Sequence, residues 1–531
     1  MRTSAVALCL APLLVVMSSP PSGAQEVESV AGCITTNPVA QCIQDAISAV
    51  VTQGGGIVFV PAGTHELDEL VWIWGPGVHL MGEGAGRTTL RAKDNTTFDS
   101  FAGARGAIAI GGIIASDLAD VSVTGLTLDM NHAGNANSDH DGIVVAYTVD
   151  GLRISELEVK NVPRSAVRFL DSGSSKTRDR VQVSKNVFSE VGFRGVEVVR
   201  ARRIRISDNQ LSNTGETAIR VASTVDAIIS RNAVDRSAPP QSTFQGSAVA
   251  GDLVHIGSGV EGLVVQGNHL LGGLDELVPS GNGVGWNRQA AVKPDRVSIL
   301  DNMIGKTWGL GIDVPPNAVV VGNMIRDSFG WGIRVQNPFA HTDFGSIQIS
   351  SNTIINPNHN NFPEPSHVGC LGIQLSNKSA FASTIDNLLI ANNICQQQLT
   401  TPQFTTGALI NAEDNDQIGV LSVTGNQLVD GVAPGIYWEG LTIGALRVRN
   451  NIVPVADGYR GTVALINGVA DVTVAWPAHP QAHAMISRTV SAGTPGALSA
   501  EYNPATANLM IRSTSATDLS TVAWEFVGTA D

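Results

Sequence analysis

The chain has 531 residues, of which 43% are hydrophobic and only 15% charged, which excludes a disordered polymer and leaves enough apolar side chain for a large core. Aromatic residues make up 5% while glycine reaches 56, a balance suited to many short strands joined by tight turns. The net charge of -14 argues against a nucleic-acid partner, because phosphate binding needs a basic surface; it leaves a neutral glycan, or an acidic one met by a local basic patch.

The N-terminus has the form of a secretory leader. Arg2 supplies the positive start, Ala5 to Met17 is apolar, and Ser22-Gly23-Ala24 is a small-residue cleavage site before Gln25. Residues 1–24 are therefore expected to be removed, giving a secreted protein, extracellular or periplasmic. The apolar run is short for a bilayer span and no later segment is long enough, so no membrane span is expected. Cys9 leaves with the leader. Export permits disulfides, and the four remaining cysteines pair as Cys33 with Cys42 and Cys370 with Cys395. Neither pair has zinc-ligand spacing with histidines nearby.

A short amphipathic helix follows, with Asn37 as its cap, Pro38 in its first turn, and Ile43, Ile47, Val50 and Val51 at helical spacing. Gly54-Gly55-Gly56 ends it, Ile57-Val58-Phe59-Val60 reads as a buried strand, and Pro61-Ala62-Gly63 as its turn.

From there the chain alternates strand and turn for about 400 residues, and the pattern repeats. Val181-Gln182-Val183-Ser184-Lys185-Asn186 matches Ile204-Arg205-Ile206-Ser207-Asp208-Asn209 and then Ala227-Ile228-Ile229-Ser230-Arg231-Asn232, the asparagines falling 23 residues apart. Asparagine returns in the same context at 268, 302, 323, 352, 393, 426 and 451. Such a period is too short for helix-pair solenoids, which need roughly 33 residues. It fits one coil of a parallel β-helix, an all-β stack in which each coil buries its inward side chains against its neighbours. The asparagines then have a structural role: they tolerate left-handed backbone at a bend, and their amides can bond from coil to coil. Longer intervals mark insertions, the largest near Met130–Asp139, Ser237–Gly251, Leu271–Gln289 and Asn356–Val368, which would wall a binding face. The repeat ends after Asn451. Residues 25–455 are expected to form the β-helix. Residues 460–531, with period-2 alternation at Val472/Val474/Trp476, Leu509/Ile511 and Val522/Trp524/Phe526, are expected to form a small β-sandwich.

The segment Asp45-Ala46-Ile47, Gly54-Gly55-Gly56-Ile57-Val58-Phe59-Val60-Pro61-Ala62-Gly63 and Leu80-Met81-Gly82-Glu83-Gly84 resembles the pectate-lyase-like superfamily of right-handed parallel β-helices. The resemblance implies the fold and a polysaccharide substrate, but not the reaction: that superfamily holds uronan lyases, polygalacturonase-like hydrolases, uronan epimerases and tailspike depolymerases. Ser487 to Gly528 looks like a β-sandwich found at the C-termini of phage tail and secreted proteins, where it trimerises or adheres. That leaves a monomer or a homotrimer.

Each coil carries a strand of the form small–apolar–X–apolar, as in Ala166-Val167-Arg168-Phe169, Gly195-Val196-Glu197-Val198 and Ala218-Ile219-Arg220-Val221. Alternation puts X outside, so stacking aligns Arg168, Glu197, Arg220, His255, Asp313, Arg334, Gln374 and Tyr437 on one outer face. An ordinary solvated face is the competing reading. Coils lie ~4.8 Å apart, so Glu197 and Asp313, at least four coils apart, are separated by ~19 Å. A glycosidase pair needs roughly 5 to 9.5 Å, so those two cannot act together, and hydrolysis would need Glu197 as a catalytic carboxylate with a second one from a neighbouring strand or loop. A lyase needs cations for the uronate carboxylate and a base for the C5 proton. The expected assignment gives Arg220 the carboxylate and His255 or an arginine the proton, with Arg168, Asp313, Arg334, Gln374 and Tyr437 binding substrate.

Asn137-Ser138-Asp139-His140-Asp141-Gly142 has two further readings beside a solvated turn. Its alternating oxygen ligands resemble the start of a calcium loop, in which Asp129, Asp139 and Asp141 would bind Ca2+, although Thr148 stands at the closing position. It also resembles the Asn-x-Asp-Gly element of polygalacturonase-like hydrolases, making Asp139 and Asp141 catalytic acids; the other motifs of those enzymes are absent. Trp286, Trp308 and Trp331 lie near the row and stack on sugar or fill the core. The resulting expectation is a secreted polysaccharide-degrading enzyme, with β-elimination placed ahead of hydrolysis. C5 epimerisation and a non-enzymatic glycan-binding adhesin are the alternatives.

Overall fold

A computed structural model describes residues 26–111, 118–135, 139–171, 178–238, 251–273, 281–336, 343–357, 369–374, 383–396, 411–412, 417–429, 442–449, 460–466, 469–473, 483–503 and 508–527. Residues 1–24, Asn137, Ser138, Tyr437, Asn451, Val474 and Trp476 lie outside them.

The helix spans Val39–Thr52 and buries Val39, Ile43, Ile47 and Val50 against the first coil. It starts one residue later than the sequence suggests. Pro38 is the N-cap and no side chain caps the helix, while the Asn37 amide turns back to the Cys33 carbonyl. The Cys33–Cys42 disulfide ties the preceding turn to this helix, so a covalent bond fixes the start where a cap would. Gly54 and Gly55 then turn the chain at φ of 92° and 121°, a region that favours glycine.

Beyond the helix the chain winds as a right-handed parallel β-helix. One coil shows the plan: Ala201–Ser207 joins the first sheet, Gln210–Thr214 the second and Thr217–Ala222 the third. Among the described residues the three sheets hold 15, 13 and 12 parallel strands, each paired with its counterparts one coil away, and the third also carries Ser100–Phe101 as an antiparallel hairpin on Ala104–Ile110. Inward positions stack on like positions. Val181, Ile204, Ala227 and Leu263 form one buried file, and Val183, Ile206, Ile229 and Val265 another. Apolar burial at roughly 25 cal/mol per Å², repeated in every coil, drives this assembly. The second disulfide, Cys370–Cys395, forms as expected. After the coils come two antiparallel three-stranded sheets, Arg460–Ala464 with Thr521–Val527 and His483–Val490, and Val469–Thr473 with Asn508–Ser513 and Leu498–Asn503. Leu465, Ala470, Leu509, Ile511 and Val522 form the core of this small β-sandwich.

The asparagine repeat is an internal hydrogen-bonded chain. Asn186, Asn209, Asn232, Asn268, Asn302, Asn323, Asn352, Asn393 and Asn426 are buried, and from Asn186 to Asn393 each Nδ2 donates to the next Oδ1 at 2.9 Å. The same Nδ2 also donates to a backbone carbonyl of a strand in the previous coil, as Asn232 does to Ile206. The left-handed backbone expected of these asparagines belongs instead to the residue before each: Lys185, Asp208, Arg231, Gly267, Asp301, Gly322, Ser351, Asn392 and Gly425 all have positive φ. That residue makes the bend, which frees the asparagine to turn its amide inward.

Asn232→Ala removes the acceptor used by both the Asn209 backbone N–H and its Nδ2. Leaving such buried donors unsatisfied is expected to cost on the order of 3 kcal/mol, read as a lowered thermal midpoint with the β spectrum retained.

Candidate functional site

The third sheet carries the outward row expected from the sequence. Its register pairs Arg168 with Glu197, Glu197 with Arg220, Arg220 with His255, and Asp313 with Arg334. Their flanking neighbours Val167, Val196, Ile219, Val254, Ile312 and Ile333 are fully buried, as strand alternation requires. Two glycines complete the row: Gly285 opposite His255, and Gly372 opposite Arg334. Gln374 therefore does not belong to it. It pairs with Gln336, two residues further along, because Gly372 holds the outward position and shifts the frame. Tyr437 lies outside the described residues.

The four long insertions share one corner, between the second sheet and the third. They join Thr127–Asp129 to His140–Val145, Ala233–Asp235 to Val254–Ile256, His269–Leu271 to Val284–Trp286, and Thr353–Ile355 to Leu371–Gln374. That corner borders the row.

Along the row the charges form two layers. The side chains of Arg168, Arg220 and His255 are 21, 24 and 24% exposed, whereas those of Asp141, Glu197 and Asp313 are 0, 7 and 1% exposed. Asp141 accepts from the Ser165 backbone N–H at 3.0 Å and from Arg168 Nη1 at 3.3 Å, with Arg164 Nε at 4.0 Å. Burial pushes its carboxyl up to about 6, against the pull of Arg168 and Arg164. Glu197 accepts from Arg220 Nη1 at 2.7 Å and from Arg194, with Arg168 Nε at 3.7 Å. Arg194 also holds Glu216.

A second group lies at His255. The His255 Nδ1 is 2.7 Å from Asp252 Oδ2, and Asp252 Oδ1 accepts from the Asn282 backbone N–H at 2.9 Å. Asp313, one coil beyond Gly285, accepts from Arg288 Nε at 2.6 Å. Burial pushes the Asp313 carboxyl up to about 6; Arg288 and Arg334 oppose the rise and Asp252 adds to it. Sequence reasoning missed Asp252, which precedes its strand and so escapes the repeat. Two signals pointed to it: the Asp-x-x-His spacing, and a glycine where every neighbouring coil carries a charged group.

The other candidate positions disperse. Asp139 is half exposed and pairs with Arg105 at 3.2 Å. Asp129 lies on the second sheet, where its Oδ1 accepts from the Asn131 backbone N–H and the Asn161 amide, each at 2.9 Å. Asp129, Asp139 and Asp141 thus do not form the calcium cage the loop pattern suggested. Among the described residues no group of three or more His, Cys, Asp or Glu is placed to hold a metal ion. His140 is buried edge-on against Phe98, and burial lowers its pKa. Trp286 is a core residue stacked in register on Ile256 rather than a groove wall. Trp308 stacks on Phe329 at 4.3 Å, and Trp331 is buried with its ring over Gly372.

Asp141 and Asp313 hold their protons to about pH 6 in the folded chain, against 3.8 as the ordinary value. The native state thus binds more protons than the unfolded chain across this window. Their contribution to stability is complete below about pH 4 and is lost as the pH rises through 6. Thermal unfolding of Asp313→Asn is expected to fall less between pH 4 and pH 7 than that of the wild type, because one of the two titrating groups is gone.

No family model matches the chain, and no curated protein matches it in sequence. Solved structures do match in fold. The tailspike protein of E. coli bacteriophage HK620, solved as a double mutant in complex with a pentasaccharide, aligns with a TM-score of 0.55 at 14% identity, over 93% of this chain and 90% of that one. The A-module of a mannuronan C-5 epimerase from Azotobacter vinelandii aligns with a TM-score of 0.51 at 16% identity, over 80% of this chain and 98% of that one. At these identities the likeness is one of fold.

Proposed function

We propose that the chain is an exported enzyme that breaks down a uronate-containing polysaccharide by β-elimination on the outer face of its third sheet. The layering of charge carries this reading: Arg168, Arg220 and His255 reach solvent while Asp141, Glu197 and Asp313 lie beneath them, and Glu216, held by Arg194, is the exposed carboxylate at the edge of the group. A ligand meeting that surface encounters positive charge on a molecule of net charge -14. The mannuronan epimerase, a protein named for a uronan, supports the same substrate class.

Asp252 at Nδ1 orients the His255 imidazole and favours a proton there, which leaves Nε2 to act as base. Arg220 stands one coil away and spends Nη1 on Glu197, and a guanidinium has five donors, so it retains others for a substrate carboxylate. Neutralising that carboxylate acidifies the C5 proton. His255 takes the proton, the C4–O bond breaks, a C4=C5 double bond forms, and the departing oxygen receives its proton from the imidazolium. If C5 is instead reprotonated on the face opposite His255 before the oxygen leaves, the product is the epimer.

A hydrolytic reading has one observation in its favour. Asp252 lies over Gly285, one coil from Asp313, and its charge helps to raise the Asp313 pKa, so two carboxylates act on each other here. Against it, the Asp313 side chain is buried beneath Arg288.

Incubation with a panel of uronans and neutral glycans separates the readings. Elimination gives a product with near-ultraviolet absorbance from its new double bond, hydrolysis gives reducing ends without it, and binding without either product identifies an adhesin. His255→Ala is expected to lower turnover about 10²- to 10⁴-fold. Arg220→Ala is expected to abolish it, and normal turnover in that variant removes Arg220 from the mechanism.

A further inference from the structure

The row of outward side chains is interrupted at Gly285, directly beside His255. Nothing in the backbone there calls for glycine. Gly285 sits in the strand Val284–Trp286, paired in parallel register, and its φ is outside the left-handed range. The space above it decides the matter. A Cβ built on Gly285 would lie 2.2 Å from Asp252 Oδ2, 2.4 Å from its Cγ and 2.6 Å from Oδ1. The Asp252 carboxylate thus occupies the volume that any side chain at 285 would fill. Its seat has two further walls: His255 Nδ1 on its own coil and the Asn282 backbone N–H on the next. Asn282 in turn accepts from the Leu310 backbone N–H, which ties the seat to a third coil.

We propose that Gly285 is a positioning residue, whose absent side chain provides the seat that holds the Asp252 carboxylate against His255. This rests on the reading of His255 as the base; the seat itself is a matter of geometry and is testable without substrate. A methyl group at 285 would lie closer than 3 Å to all three carboxylate atoms, so the Asp252 carboxylate must move out of this seat. His255 then loses the acceptor that fixes its tautomer and orientation. The same gap explains why the row carries charge in every coil from Arg168 to Arg334 although position 285 has no side chain: Asp252 supplies the missing member from its neighbour's strand.

The test uses the full chain carrying Gly285→Ala, Asp252→Ala, both together, and Gly305→Ala as a control. Gly305 lies on the second sheet, where a Cβ meets nothing nearer than 3.5 Å. In the substrate-free protein with labelled histidine, the hydrogen-bonded Nδ1 proton of His255 gives a downfield NMR resonance. The proposal expects that resonance in the wild type and the control, and its loss in Gly285→Ala and in Asp252→Ala. With a turned-over glycan, Gly285→Ala should lower kcat as far as Asp252→Ala does, with KM little changed. The double variant should fall no further, because the two substitutions remove one interaction. An intact resonance in Gly285→Ala overturns the proposal. So does its loss in the control, or a double variant whose deficit is the product of the two single ones. If the resonance behaves as expected while no glycan is turned over, the seat stands and the catalytic reading falls.

Discussion

Hydrogen bonds that run along the axis, from each coil to the next, are the constraint on which everything else in this molecule rests. A strand in a parallel sheet that slips by one residue turns its whole inward set outward, so the buried files exist only while the register holds. The asparagine chain shows how firmly it holds. Successive members are separated by as few as 21 residues and as many as 41, yet each link closes at 2.9 Å. The connections between strands therefore vary in length without changing the register of the stack. The four insertions marked in the sequence all join a strand of the second sheet to one of the third, and residues from 168 to 334 fall on one row.

That row imposes an electrostatic cost that the chain meets by layering. Carboxylates on a packed sheet face lose solvent, and a buried charge without a counter-charge is strongly destabilising. Asp141 is held by Arg168 and Arg164, Glu197 by Arg220 and Arg194, and Asp313 by Arg288. For Asp141 and Asp313 the compensation is incomplete, and both retain a proton to about pH 6. The arginines, with long apolar stems, lie over the acids and bring their guanidinium groups to the surface. A chain of net charge -14 thereby carries a row of surface guanidinium groups.

Legibility in the sequence followed from periodicity. The coil repeat, the inward files and six members of the row were readable because alternation and a recurring asparagine mark them in every turn. Failures occurred where one residue departs from the repeat. Gly372 takes the outward position and so shifted the frame that had placed Gln374 there. Asn37 has the chemistry of a helix cap, but a disulfide fixes that helix start. The left-handed bend belongs to the residue before each asparagine, since the asparagine needs its side chain inside. Asp129 is close in sequence to Asp139 and Asp141 but falls on another sheet, because one corner of the coil separates them. Asp252 precedes its strand and so lies outside the repeat: it fills a gap left one coil away at Gly285, and only that glycine and the Asp-x-x-His spacing hint at it.

Proton abstraction from C5 is the central chemical claim, and a uronan deuterated at C5 tests it most directly. The account predicts that kcat/KM falls severalfold with the deuterated polymer, and that each scission creates one unsaturated sugar end. Equal rates for the two polymers, together with saturated ends at every cut, would contradict it, because the bond to C5 would then have remained intact throughout.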